Sequence, residues 1–219
     1  MRDRIKAVAT DLFISHGVRG LTFGMLAERL GVPRPNIHYY FPNKQVLAEE
    51  VLKDYAAGVV ALYSTVWTVT DRSLPAKFAG SLAAIRERYR RVNPSGSEGR
   101  PWGLLTRFQH ERDALTPAML DTLKKAGLKF DQCGTIAVRQ GVERGDLVKD
   151  TPQEEVSLLV INAIRFTGAL TTKDNTFNRV EQHYRAVCNT IGKAYGTRLY
   201  RKALAEQSRV SALEHADAG

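Results

Sequence analysis

Within Pro33-Arg-Pro-Asn-Ile-His-Tyr-Tyr40, several side chains have the hydrogen-bonding geometry that reads nucleic acid. Arg34 offers the planar fork suited to a bidentate bond with guanine, and Asn36 the amide edge suited to adenine, each worth about 1–3 kcal/mol of discrimination between bases. Pro35 lacks a backbone N–H, costs little early in a helix and presents its ring to a thymine methyl. His38 and Tyr39 fall on the outward side while Ile37 and Tyr40 turn in, which suits hydrogen bonds to the sugar-phosphate backbone. Lys44 begins the next helix, where its ammonium and the free N–H groups of that helix together fit a phosphate. Thr22 heads an earlier helix and can cap it, donate to phosphate, or both. The same residue types leave plainer alternatives open: Arg34 on phosphate alone, Lys44 solvated, and Thr22 acting only as a cap.

These side chains need a scaffold, and Leu21-Thr-Phe-Gly-Met-Leu-Ala-Glu-Arg-Leu-Gly-Val-Pro supplies one. Set on a helix-turn-helix template, small Ala27 falls where two helices cross, and Gly31, four residues on, falls in a turn that demands a left-handed residue. Leu26, Leu30, Val32, Ile37 and Tyr40 take the inward positions. Thr22 is placed to cap the first helix, with Leu21 and Leu26 as a hydrophobic staple across it. Upstream, Ile5, Ala9, Leu12 and Phe13 form the apolar stripe of a bracing helix that ends at Gly17. A helical hairpin inside an ordinary bundle shares the Ala, Gly and apolar spacing, and is the rival reading of this segment.

Ala9-x-x-Leu12-Phe13-x-x-x-Gly17, Leu21-Thr22, Leu26-Ala27-x-x-Leu30-Gly31-Val32 and Ile37-x-Tyr39-Tyr40-Phe41-x-x-Lys44-x-x-Leu47 resemble the N-terminal signature of the tetracycline-repressor (TetR) family of bacterial regulators, over roughly residues 3–52. Gly141-Val-Glu-Arg-Gly-Asp-Leu147, followed by Thr151-Pro152 and an apolar helix, resembles the family's penultimate connection. Two positions depart from the pattern: Pro33 stands where the family usually has a Ser capping the recognition helix, and His38 where it usually has Tyr. The resemblance implies an all-α chain with a three-helix DNA-binding domain in residues 1–45 and a larger helical effector-binding and dimerisation domain in 46–219. It implies a homodimer on palindromic double-stranded DNA, a repressor by commonest habit, released by a small-molecule effector.

Composition agrees with such a chain without identifying it. The 219 residues are 43% hydrophobic, enough for a sizeable core, and the net charge of +9 suits polyanionic partners. Residues 1–53 hold eight basic and five acidic side chains, so the charge does not mark a DNA-binding end. No apolar run reaches the length of a bilayer span, and the start shows no secretory pattern, so a cytoplasmic protein is expected. Cys133 and Cys188 are far apart and form no Cys-x-x-Cys pair, so buried, reduced thiols are expected rather than disulfide or zinc. Phosphate-binding loops, the nucleophile elbow and His-Glu-x-x-His are absent, so neither enzyme activity nor cofactor nor metal is expected.

Beyond residue 53 helical periodicity continues, cut by Gly, Pro and capping residues at 70–75, 93–101, 116, 145–151 and 173–176; about nine helices fit the whole chain. Thr116-Pro117 and Thr151-Pro152 read as capped starts. Residues 197–219 carry a weak helical pattern before a small, acidic end. From Pro152, Val156, Leu159, Ala163, Phe166 and Leu170 form one apolar face, and Val180, Tyr184, Val187 and Ile191 another on the last long helix. The resemblance implies that these faces meet their symmetry mates; internal core is the alternative. Leu158, Ile161, Asn162 and Arg165 give the first of these helices a second face, which predicts a sandwiched helix and an Arg165 needing an anion from protein or ligand. Trp102, Phe108, His110 and Phe130, with Asn162 and Arg165, are the candidate effector-binding residues.

Overall fold

Side-chain caps mark some helix starts of this chain and are missing at others. The computed structural model describes residues 1–94, 102–171 and 177–216. In order these form α1 (Arg2–Gly20), α2 (Phe23–Leu30), α3 (Arg34–Tyr40), α4 (Lys44–Trp67), α5 (Leu74–Val92), α6 (Leu104–His110), a 3-10 turn (Arg112–Ala114), α7 (Pro117–Glu143), α8 (Gln153–Arg165), α9 (Thr167–Leu170), α10 (Asn178–Tyr195) and α11 (Arg198–Ala216). No strand occurs among the described residues, where an isolated bridge joins Leu147 and Gly196, and the fold is all-α as expected. None of these helices is long and apolar enough to cross a membrane. Of the break expected at 93–101, residues 95–101 lie outside the described residues, as does the break expected at 173–176.

Thr116 caps α7 as expected, its Oγ1 accepting from Met119 N at 3.3 Å. Thr151 does not cap α8. Pro152 takes the N-cap position and the Thr151 hydroxyl donates to Val148 O instead. The helix expected to run on to Leu170 breaks at Phe166. Just beyond the break, the Thr167 hydroxyl donates back to Ala163 O and Ile164 O at 3.1 and 3.0 Å, the type of bond that competes with the helical ladder. With this break and α11, the described residues form eleven α-helices where about nine were expected.

The chain packs as two compact units. The first, Met1–Val60 with Val92–Leu128, takes in more than residues 1–45. Its core contains the whole predicted stripe of α1 (Ile5, Ala9, Leu12, Phe13) with Leu26, Leu30, Ile37, Phe41, Leu47, Leu104, Phe108 and Met119. Val32 and Tyr40 are half-buried against it.

In the second unit, Ala61–Arg91 with Lys129–Gly219, polar side chains, most of them buried, finish helix ends. The last carbonyls of a helix have no intrahelical donors. At the end of α4, Lys77 Nζ donates to Trp67 O at 3.0 Å, Gln140 Nε2 to Thr68 O at 2.9 Å, and Arg144 Nη1 to Thr70 O at 3.0 Å. Lys77 also bonds Gln140 Oε1. The Asp146 carboxylate, 3% exposed, accepts from Leu74 N at 3.0 Å, while its carbonyl accepts from Thr197 N, so one residue ties the start of α5 to the α10–α11 junction. Both cysteines are free and buried.

Lys77 is 1% exposed, and burial, helped by nearby Arg144, pushes its ammonium down to about 8 against the opposing pull of Asp146 and Asp71. The unfolded chain holds this proton to the ordinary lysine value of 10.5. Between those values the unfolded state binds more protons, so the contribution of Lys77 to stability rises with pH across that window, and below it the burial penalty acts in full. Urea unfolding from pH 7.5 to 10 should therefore show wild type gaining on Lys77→Met, with a slope approaching about 1.4 kcal/mol per pH unit. A difference independent of pH would show that Lys77 keeps an ordinary proton affinity.

Candidate nucleic-acid interface

Two short helices and one left-handed residue build the exposed face of the first unit. Thr22 is extended (φ −125°) and its Oγ1 accepts from Met25 N at 3.3 Å, capping α2. Leu21 and Leu26, the expected staple, are both fully buried. α2 ends at Gly31, whose φ of 66° and ψ of 37° reverse the chain while Val32 N reaches back to Ala27 O at 3.0 Å. This conformation costs glycine nothing and other residues about 1–2 kcal/mol. α3 starts after Pro33, which supplies no side-chain cap; its carbonyl accepts from Asn36 N at 3.0 Å.

Ile37 is the buried residue of α3. Arg34, Pro35, Asn36, His38 and Tyr39 are all exposed, Tyr39 at 84%. The His38 ring meets Phe23 edge-on at 4.8 Å, and Tyr39 meets Tyr40 at 5.1 Å. Between Thr22 and Lys44 the chain carries Arg29, Arg34 and Lys44 against Glu28 alone, so the face is positive. This is a surface of base-edge donors and acceptors carried on a helix whose other side is anchored, the geometry that enters a major groove.

Lys44 is half-buried and its Nζ donates to Arg19 O at 3.2 Å, so its ammonium already has a protein partner; Asn43 Oδ1 accepts from Val46 N at 2.9 Å and caps α4. Two further residues, Arg2 and Arg4, escaped the sequence reading. Arg2 Nη1 donates to Tyr40 O at 2.9 Å at the end of α3, its guanidinium lies 4.4 Å from the Phe41 ring centre, and it pairs with Glu50. Arg4 Nη2 reaches Leu30 O at 3.4 Å at the end of α2. A signal existed: basic residues in a first helical turn oppose the helix dipole, so two arginines there call for partners elsewhere.

The six candidate effector residues divide between the units. Trp102 and Phe108 are buried in the first, Phe108 edge-on to Phe13 at 5.5 Å, and His110 is exposed there. In the second, Phe130 is buried against Tyr63 at 5.3 Å, while Asn162 and Arg165 are exposed. Arg165 is thus not buried in a sandwiched helix: of the expected second face of α8, Ile161 is buried while Leu158, Asn162 and Arg165 are exposed, and Arg165 pairs with Asp131 at 3.1 Å. Beside Phe130 lies a group the sequence reading missed. Tyr63, Thr167 and Tyr184 share hydrogen bonds, Ser81 bonds Tyr184 at 3.2 Å, and burial raises the Tyr63 phenol well above its ordinary range and the Tyr184 phenol in the same direction. The indole N–H of Trp67 is buried without an acceptor.

Of the residues expected to meet a symmetry mate, Val156, Ala163, Val180, Tyr184 and Ile191 are inside the second unit's own core. Val187 and Leu170 are half-buried, and Leu159 and Phe166 are exposed at 41% and 54%. Leu158, on the same helix, is exposed with them.

Residues 5–51 match the family pattern described as bacterial regulatory proteins, tetR family. The HTH-type transcriptional repressor KstR2 of Mycolicibacterium smegmatis is 27% identical over 94 residues, 42% of this chain and 46% of that protein, so the match spans about half of the relative. Among solved structures, reduced NemR of E. coli superposes with a TM-score of 0.68 at 15% identity, over 86% of this chain and 95% of that one. A TetR regulator from Chloroflexus aurantiacus does so at 0.70 and 21%, over 89% and 96%. A putative transcriptional regulator from Saccharomonospora viridis, solved in complex with choline, does so at 0.64 and 17%, over 90% and 98%. At these identities the structures agree in fold.

Arg34→Ala should relax preference at one base pair and cost roughly 1–3 kcal/mol on the best duplex, while Lys44→Ala should weaken all duplexes and lower the salt slope by about one. Titrations of matched and single-substituted duplexes at several salt concentrations separate the two. Equal losses on every duplex would remove the base-reading role from Arg34.

Proposed function

The chain belongs, through residues 5–51, to the tetR family of bacterial regulatory proteins, and we propose from this that it is a transcriptional repressor acting as a homodimer on a palindromic operator and released by a small molecule. The observation that carries the reading is the exposed row Arg34, Pro35, Asn36, His38 and Tyr39 on a helix anchored by Ile37. One such helix reads too few bases for a specific site, and twofold protein symmetry requires twofold DNA symmetry. Thr22, His38, Tyr39 and Lys44 set register on phosphate, and Arg34 and Asn36 read bases. Lys44 does so with its ammonium shared between Arg19 O and a phosphate.

Exposed Leu159 on α8 and Phe166 at its C-terminal cap, on one arc, supply the apolar surface for the second copy, since neighbouring exposed apolar side chains mark interaction sites. The core residues behind them, Val156 and Ala163, support that surface from within. For the effector, Phe130 is the member of the expected set best placed, because the Tyr63, Thr167, Tyr184 and Ser81 hydroxyls and the unpartnered Trp67 N–H surround the same part of the second unit. A ligand there shifts DNA affinity by its differential affinity for two arrangements of the dimer, typically about 1–3 kcal/mol.

Selection of bound duplexes from a random pool should return a dyad-symmetric site with half-sites about one helical turn apart or somewhat more; recovered sites without dyad symmetry count against the dimer reading. In sedimentation, wild type should run as a dimer at micromolar concentration. Leu159→Asp with Phe166→Asp should shift it to monomer while leaving its helical circular dichroism intact. A wild-type monomer would exclude the proposed arrangement.

A further inference from the structure

α1 is not continuous. At Gly17 the backbone turns to φ 74° and ψ −179°, and a short helical piece, Val18–Gly20, resumes beyond it. The first N–H groups after such a break have no intrahelical acceptor. Here the acceptor comes from 93 residues away: Oε2 of Glu111 takes Val18 N at 2.9 Å and Arg19 N at 3.4 Å. Glu111 is 14% exposed in its side chain, and its other oxygen pairs with Arg107 Nη2 at 3.0 Å, one turn back on α6. The carboxylate fills the place of the missing Gly17 side chain, where a Cβ would stand 1.9 Å from Oε1.

The rest of the joint is held in the same manner. Asp113 pairs with the Arg19 guanidinium, Lys44 donates to the Arg19 carbonyl, and Leu21 N returns to Gly17 O at 3.3 Å. Thr22 opens α2 immediately afterwards. Glu111 itself sits where α6 passes into the 3-10 turn, its N–H on Phe108 O, and Phe108 packs on Phe13 of α1. All these residues belong to the first unit. The carboxylate is therefore held at the end of α6 and the joint depends on the carboxylate, because an N–H···O bond weakens steeply once its distance and angle are lost.

The geometry points to Glu111 as a positioning residue for DNA reading, whose carboxylate on the end of α6 fixes the Val18–Gly20 joint and so sets how α2 and α3 are presented. This presupposes the DNA-binding reading. The role does not involve contact with DNA: Glu111 acts through the α1 break, and its negative charge is matched to two N–H dipoles and one guanidinium, a set that a neutral amide serves less well.

The test uses the full chain, the palindromic duplex recovered by selection and a scrambled duplex of equal length, with amide exchange at Val18 and Arg19 followed by NMR. Glu111→Ala should weaken the selected duplex roughly tenfold or more, leave the scrambled duplex within about twofold, and expose both amides to exchange. Glu111→Gln, which keeps the shape, should fall between it and wild type, and is decisive should Glu111→Ala not fold. Gly17→Ala, whose Cβ displaces the carboxylate, should give the same specific loss, and the double variant no more than either alone. Exchange of both amides with unchanged affinity for the selected duplex in folded Glu111→Gln or Glu111→Ala would make Glu111 merely structural and overturn the inference. Persistent protection of the amides would overturn it as well. Failure of the wild-type chain to recover any duplex would overturn the DNA-binding reading and this role together, and is recognisable before any variant is made.

Discussion

A seven-residue helix cannot hold itself together in water, and α3 is such a helix. Its one buried side chain, Ile37, gives it a single anchor, since the residues on its other side must stay exposed to meet another molecule. The surrounding first unit supplies what is missing at each end. Gly31 delivers the chain at the correct turn, Arg2 holds the Tyr40 carbonyl, and Phe41 is sealed in the core beneath the Arg2 guanidinium. Arg4 gives the end of α2 the same kind of support. The order of the exposed face is thus provided by residues that do not belong to it.

The same accounting of helix ends runs through the second unit at greater depth. Three side chains close carbonyls at and just beyond the end of α4, and Asp146 closes a helix start and a helix junction at once. A buried ammonium with carbonyl and amide partners but no carboxylate at contact distance is an expensive choice, and the depressed proton affinity of Lys77 is its signature. Such hydrogen-bonded polar centres fix one arrangement of helices more sharply than apolar packing alone.

What was legible in the sequence was local. Ala27, Gly31, Thr22 and the Leu21–Leu26 staple act on neighbours a few residues away, so their spacing carried the helix-turn-helix and the exposed row of α3. Thr116 was read correctly for the same reason. Contacts over long separations were not legible: nothing near Arg2 names Tyr40, and nothing near Glu111 names Val18. Thr151 misled because a following Pro fits both the first turn and the N-cap, and here it took the cap. The apolar arc of α8 misled in part because periodicity gives a face but not its occupant. Val156 and Ala163 serve the chain's own core, whereas Leu159 and Phe166, on the same arc, do not.

The prolines around Arg34 also act where no folded contact can reveal them. Pro33 and Pro35 hold their φ angles near the native range in the unfolded chain, and Pro33 restricts Val32 before it to extended backbone. The denatured ensemble therefore starts with fewer conformations at the approach to α3 than an ordinary segment would have, and loses less entropy on folding. Pro35 works the other way at Arg34, the first residue of α3, by disfavouring the helical region there, so initiation of so short an element rests on its tertiary anchors and not on a capping hydroxyl. The two rings also leave the first turn poor in backbone N–H groups, so an anion approaching the head of α3 meets the Arg34 side chain in place of a ring of amides.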